Sequence, residues 1–243
     1  MYKDRKVSLI LPTYREKDSI RQVIRDFEAL GLVDEILVVN NNAIEGTSGE
    51  VRQTSAIEIQ EPVQGYGAAI RRGFAEATGD LIFVCEPDAT FAAGDLHKFL
   101  AYADDVDIVY GSRTIRTFIW QRANMGFLLK WGNWFVAKLL EVLFNTTYLS
   151  DVGCTYRMIR REALVQLLPA FRVKSNFFGP EMMVRGYRMK LRCVQIPVNY
   201  KERTGESSVT GNLGKSIVLG AQMTLLIIAM RLRLERVLLP LLR

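Results

Sequence analysis

Over roughly the first 110 residues, short apolar runs alternate with amphipathic stretches, and few architectures accommodate that alternation. Residues 7–11, 35–39, 57–60, 81–85 and 108–110 read as strands, while 18–30, 66–77 and 95–103 carry helical spacing. In the first of these helices Ile20, Val23, Ile24 and Phe27 fall on one face. Strand–helix repetition of this kind predicts βαβ units, hence an α/β fold with a mostly parallel central sheet and helices on both faces. Such sheets bind ligands at the carboxyl ends of their strands, so the residues that follow each strand are where chemistry is to be sought.

After residue 113 the pattern changes. Residues 118–144 are long, apolar and aromatic, with Trp120, Trp131 and Trp134 interspersed with Arg122 and Lys130. Tryptophan beside basic side chains on a helix suits a membrane–water interface, and an ordinary core helix is the alternative. Residues 155–159 and 191–198 read as further strands, with a helix near 180–187 between them. Residues 216–230 are almost continuously apolar and are followed by Arg231, Arg233 and Arg236. Such a segment makes roughly 22 Å of helix against a hydrocarbon core of about 30 Å, so it is expected to lie in the interface or be buried rather than to span. The polar start, Met1 to Lys6, runs straight into a strand, and no secretory signal is expected. The expected organisation is one domain over 1–210, with a donor half at 1–112 and an acceptor half at 113–210, followed by a membrane-associating tail at 211–243.

A net charge of +6 suits an acidic partner such as a nucleotide or an anionic lipid. The basic residues form no stripe interleaved with stacking aromatics, so a nucleic-acid role is not expected. Cys85, Cys154 and Cys193 are far apart, fit neither a disulfide framework nor a zinc site, and read as small buried residues. The single histidine, His97, sits at a helix start with no Ser or Cys partner and reads as a surface residue.

The strand ends carry the candidate chemistry. Pro12-Thr13-Tyr14-Arg15-Glu16 places an aromatic ring that can stack on a base and a carboxylate that can accept ribose hydroxyls. Asn40-Asn41-Asn42 offers amides able to read a base edge, or else forms a turn. Glu86-Pro87-Asp88-Ala89-Thr90 holds two carboxylates that project to the same side after a buried strand. Two such groups repel unless a proton or a cation separates them, and Mg2+ or Mn2+ shared with phosphate oxygens is one way of resolving that conflict. A solvated acidic turn is the other reading. Gly65-Tyr66-Gly67 reads as a closely packed helix start rather than a dinucleotide loop.

The segments 12–16, 38–47, 65–79 and 86–90 with Gly111-Ser112-Arg113 resemble, in order and spacing, the family 2 glycosyltransferases, which have the GT-A (nucleotide-diphospho-sugar transferase) fold. Asp151-Val-Gly-Cys-Thr-Tyr-Arg157 and Arg203-Thr-Gly-Glu-Ser207 look most like the polyprenyl-phosphate, dolichol-phosphate mannose synthase-like branch. The resemblance implies that Pro12, Tyr14, Glu16, Val39 and Asn41 line the nucleoside. It implies too that Glu86, Pro87 and Asp88 stand for the D-x-D segment, with Thr90 placed to complete the metal shell. Arg113 and Arg203 match residues that hold the donor diphosphate and the acceptor phosphate, for which a bidentate, permanently charged fork is suited. The chain departs from the family at Asn40-Asn41 (usually Asp-Asp), at Glu86 (usually Asp), at Thr90 (often Gln) and at Ser208 (often basic).

These readings imply inverting transfer of a sugar from a nucleotide-diphosphate sugar to a polyprenyl phosphate, by a peripheral or monotopic protein on the cytoplasmic face of a membrane, with a homo-oligomer or membrane-protein partner left open. Asp88, Arg113, Arg203 and Glu181 are the candidate catalytic residues. An anionic lipid phosphate needs no strong general base. Glu181 is therefore either an acceptor-site residue, as in members of the family that use hydroxyl acceptors, or a structural carboxylate at a helix start. The rival readings are transfer to a sugar hydroxyl of a glycolipid or polysaccharide, and a non-catalytic nucleotide-binding scaffold.

Overall fold

A computed structural model describes residues 1–120, 127–203 and 213–235. Seven strands form one sheet in the order β3-β2-β1-β4-β6-β5-β7. They are β1 (Val7–Thr13), β2 (Glu35–Asn40), β3 (Ile57–Gln60), β4 (Leu81–Val84), β5 (Ile108–Ser112), β6 (Arg157–Arg160) and β7 (Cys193–Pro197). β1 lies between β2 and β4, parallel to both, and all seven of its residues are buried. This is the environment that a run of Val, Leu and Ile calls for when both faces are covered. Side chains alternate between two cores: Leu9, Leu11, Val38 and Phe83 pack on one face, and Ile10, Val39, Ile82 and Val84 on the other.

Helices α1 (Lys17–Glu28) and α4 (Leu96–Ala101) and the short α2 (Thr47–Val51) cover the first core through Ile20, Leu96 and Val51. The second is covered by α3 (Tyr66–Glu76), α5 (Phe127–Phe144), α6 (Arg161–Leu167), α7 (Phe178–Arg188) and α8 (Leu213–Arg231). Gly73 lets α3 lie against β1: a Cβ there would collide with Cγ2 of Ile10.

The expected alternation is present, with strand and helix ends displaced by a few residues. Three differences matter. β6 runs antiparallel to both β4 and β5; apolar patterning carries no direction, so only the parallel βαβ part was implied by it. Helices α2 and α6 are too short to show a period and were not anticipated. The expected helix at 118–144 occupies only 127–144 of the described residues. In front of it Ile119 forms a bridge to Tyr200, and Trp120 donates its backbone N–H to Tyr200 O (2.9 Å) and its indole N–H to Asn199 Oδ1 (3.2 Å). Pairing with 199–200 thus satisfies the backbone of 119–120 in extended form, although its composition resembles the helix that follows. Arg122, residues 204–208 of the Arg203 block, and Arg236 lie outside the described residues.

The described part of the apolar tail is α8, which packs on α5 and α7 and buries Leu226, Ile227, Ala229 and Met230. Its Val218, Leu225 and Ile228 remain exposed, as do Trp131, Trp134 and Phe135 of α5. Among the described residues no helix is long and apolar enough to cross a membrane. The three cysteines are free and buried, and burial pushes the thiols of Cys154 and Cys193 up to about 12. His97 is exposed on α4.

Candidate active site

The carboxyl ends of β1, β2, β4 and β5 open onto one cavity of about 920 Å³. At the end of β1, Glu16 Oε2 accepts the backbone N–H groups of Tyr14 (2.8 Å) and Arg15 (2.9 Å) and the hydroxyl of Thr13 (3.2 Å). The turn into α1 is closed this way, and Tyr14 stands exposed at the cavity edge beneath the Arg15 guanidinium, 5.2 Å from its ring centre. At the end of β2, Asn41 is saturated. Its Nδ2 donates to the carbonyls of Glu61 and Val63 (2.8 Å each), and its Oδ1 accepts Gly65 N–H (2.7 Å) and Gln64 Nε2–H (3.2 Å). An asparagine amide has no further capacity. It shapes the loop before α3 and leaves no side-chain group with which to read a base. Asn40 is similarly engaged with Ser48, Glu58 and the Ala43 N–H. Val39 faces the second core and does not line the cavity, because the alternation along β2 turns it inward.

Beyond β4, Asp88 is almost wholly buried. Its Oδ1 accepts the Thr90 hydroxyl (2.6 Å) and Thr90 N–H (3.0 Å), while Oδ2 meets Arg203 Nη1 at 3.1 Å. The Thr90 hydroxyl is thus turned to Asp88, orienting it. Pro87 does not line the cavity; its carbonyl accepts the Ser19 hydroxyl (2.6 Å) and ties the acidic turn to α1. Burial, and next the charge of Asp88, push the Glu86 carboxyl well above the ordinary carboxylate range, against the pull of Arg203 and Arg113. Asp88 is raised too, first by burial, although Thr90 and Arg203 oppose this. Two carboxylates that burial raises, side by side at one cavity, want a cation.

Two arginines close this end. Arg113, beyond β5, is fastened to fully buried Asp151 through Nε (2.9 Å), Nη2 (3.0 Å) and its own backbone N–H (2.9 Å). Burial would raise the Asp151 carboxyl, but the Arg113 charge and these hydrogen bonds prevail and hold it below its usual range. Arg203 spans Asp88 and Glu16, the latter through Nη2 at 3.3 Å. A third guanidinium in the wall, Arg157, spends its donors on the carbonyls of Cys154, Gly179 and Val152. Neither Asp151 nor Arg157 was singled out as a site residue; both lie in the 151–157 block, and their neighbourhood was the signal available.

Glu181 corrects an expectation. It is fully buried and off the cavity lining, with its oxygens accepting the N–H groups of Arg172 and Val173 (2.9 Å each) and the Arg185 guanidinium (2.7 Å). The geometry realises the structural alternative: the carboxylate fixes the chain before α7 and has no lone pair directed at an acceptor. Away from the charged end, the cavity continues between α5 and α8 along Trp131, Val136, Phe178, Met182, Leu219 and Met223.

Residues 8–168 match the family described as Glycosyl transferase family 2. An uncharacterised glycosyltransferase of Mycobacterium tuberculosis (strain H37Rv) is 30% identical over 216 residues, covering 87% of this chain and 93% of its own. One from Mycobacterium bovis gives the same figures. Among solved structures, glucosyl-3-phosphoglycerate synthase from M. tuberculosis, in complex with Mn2+, UDP-glucose and phosphoglyceric acid, superposes with a TM-score of 0.74 at 17% identity, over 94% of this chain and 80% of its own. A complex of the same synthase with Mn2+, UDP and phosphoglyceric acid gives 0.73 at 18%, over 94% and 78%. At these identities the likeness is one of fold.

Proposed function

Because this chain belongs to glycosyl transferase family 2 and has the GT-A fold, we propose that it transfers a sugar, with inversion, from a nucleotide-diphosphate sugar to a polyprenyl phosphate at a membrane surface. The observation that carries this reading is the continuity of the cavity, which joins Glu86, Asp88, Arg113 and Arg203 at one end to an apolar passage between α5 and α8 at the other. A lipid phosphate has these two needs: guanidinium for its anionic head and apolar walls for its chain.

Glu86 and Asp88 fit Mg2+ or Mn2+ by their hard oxygens and their raised proton affinity. Among the described residues no third acidic, histidine or cysteine side chain completes a cluster around them, and oxygens of the donor diphosphate could serve as further ligands. Bound there, the ion would neutralise charge on the departing diphosphate. The chain's own residues do the rest. Tyr14 offers a stacking face for the base, Arg113 is held rigidly by Asp151 toward the phosphates, and Arg203 is placed to reach the anions of donor and acceptor. An acceptor phosphate oxygen bonds to the anomeric carbon as the sugar–diphosphate C–O bond breaks, and the bonding pair leaves with the nucleoside diphosphate. No proton needs to be removed.

The last point supports phosphate over hydroxyl as the acceptor. Of the carboxylates on the described cavity lining, Glu16 and Asp88 are paired with Arg203 and Glu86 is the one assigned with Asp88 to the cation, while Glu181 is turned away. The solved synthase structure holds phosphoglyceric acid, an anionic molecule without a chain to fill an apolar passage. The test supplies radiolabelled nucleotide sugars and Mn2+ with, separately, a polyprenyl phosphate, phosphoglyceric acid and a glycolipid. Labelled lipid phosphate is expected. Transfer only to either of the others refutes the acceptor, and nucleotide-sugar binding without transfer to anything supports the scaffold reading.

A further inference from the structure

With Asn41 and Asn40 saturated, the donor site needs another side chain to tell one base from another, and we propose that Gln64 is that residue. The inference rests on the nucleotide-sugar reading above. Gln64 lies on the loop between β3 and α3 and lines the cavity together with Pro12 and Tyr14, at the end where β1 and β2 stop. Although its side chain is exposed to solvent, two amides hold it. Its Nε2 donates one hydrogen to Asn41 Oδ1 (3.2 Å), and its Oε1 accepts one from Asn42 Nδ2 (3.0 Å). Asn42 is itself anchored through Pro62 O (3.3 Å) and sits at φ 57°, a left-handed conformation that asparagine tolerates.

A glutamine amide has two hydrogens and two acceptor lone pairs. One of each is spent on the asparagines, which leaves one donor and one acceptor on an amide that both asparagines orient. A donor–acceptor pair is what discriminates between base edges, whose hydrogen-bonding patterns differ in the order of those groups. Tyr14 cannot supply this, because every base has a face on which a ring can stack. The asparagines that sequence suggests as base readers thus act one step back, positioning the glutamine that does the reading.

The experiment titrates the full chain with UDP, CDP, GDP and ADP in Mn2+, and with inorganic diphosphate as a probe lacking any base. The wild type is expected to prefer one nucleoside diphosphate. Gln64→Leu should shrink that preference roughly tenfold or more, leave inorganic diphosphate binding unchanged and, the residue being exposed, leave the melting temperature unchanged. Asn42→Ala, which frees one anchor of the amide, should produce a smaller loss of the same kind. A selectivity ratio in Gln64→Leu equal to that of the wild type overturns the proposal, as does an equal loss for inorganic diphosphate. Failure of the wild type to bind any of the four nucleotides overturns the donor reading and the base-reading role with it.

Discussion

Arg203 meets Asp88 Oδ2 at 3.1 Å and Glu16 Oε1 at 3.3 Å, from a side chain only 24% exposed. It therefore holds the oxygen that a divalent ion on Glu86 and Asp88 would claim. Removing the guanidinium should let the nucleotide-free protein bind Mn2+ more tightly. The magnitude follows from the contact: exposed ion pairs contribute about 0–1 kcal/mol and charged hydrogen bonds about 1.5–3, and this pair, with one partner buried and one partly so, belongs in the upper range. At 1.4 kcal/mol per tenfold, Arg203→Gln should lower the Mn2+ Kd by roughly ten- to a hundredfold, with Arg203→Lys in between. Free Mn2+ counted by its EPR signal, with wild type and variants at one fixed pH, gives the affinity directly. The same substitution should weaken binding of a nucleoside diphosphate in saturating Mn2+, because Arg203 is then missing from the phosphates. An unchanged or weakened Mn2+ affinity in Arg203→Gln would refute the reasoning, for Arg203 would then help to hold the cation rather than compete with it.

Glu181→Gln should cost about 3 kcal/mol of stability, since an amide cannot satisfy two backbone N–H groups and Arg185 at once; chemical denaturation gives that figure, and kcat measured well below the melting temperature should stay within a few-fold of wild type. Glu86 is raised in the folded state first by burial, so in metal-free protein its contribution to stability is present below the ordinary glutamate pKa and is lost as pH rises toward the raised folded value. The stability of Glu86→Gln relative to wild type should accordingly improve between about pH 5 and pH 8; a pH-independent difference between the two denaturation curves would contradict the shift. Leu225 and Ile228 are 44% and 37% exposed on α8, and replacing both with Glu should reduce co-sedimentation with anionic vesicles by roughly tenfold or more while leaving the melting temperature within a few degrees.

How much of this was legible in the sequence depended on whether a residue's partners were local. Val7, Leu9 and Leu11 announce a buried strand because the signal is their own spacing, and Glu86 and Asp88 announce a neighbouring pair of carboxylates because a single residue separates them at one strand end. Glu181 could not be read in the same way. Its partners are the N–H groups of Arg172 and Val173, which precede it in a loop without periodicity. Asn41 looked like a base reader because amides can read bases; that its four hydrogen bonds close a loop at 61–65 follows from how β2 and β3 pair, which lies beyond pattern. Val39 was misplaced by a single step of alternation, since following a strand to its end does not say which face the last residue presents. Residues 119–120 have the composition of the helix that follows and an extended backbone, because a partner some 80 residues later in the chain pairs with them.

The charges of the assembled site also bear on the order in which it fills. Glu16, Glu86, Asp88 and Asp151 face Arg113, Arg157 and Arg203 in and behind one wall of the cavity. With every group ionised, and Arg15 counted at the cavity edge, four carboxylates against four guanidiniums leave this end of the metal-free cavity without net charge, an indifferent host for a diphosphate. A divalent ion on Glu86 and Asp88 would make it positive by two and release Arg203 from Asp88 toward the incoming phosphates. Arg113 contributes little to that change, since Asp151 balances it in either state; its contribution is position. Arg203 is the opposite case, held by Asp88 and Glu16, of which the first is the group that a bound cation would claim. Cation before nucleotide sugar is therefore the order that this arrangement favours, with the exchange of Arg203 between carboxylate and phosphate coupling the two events.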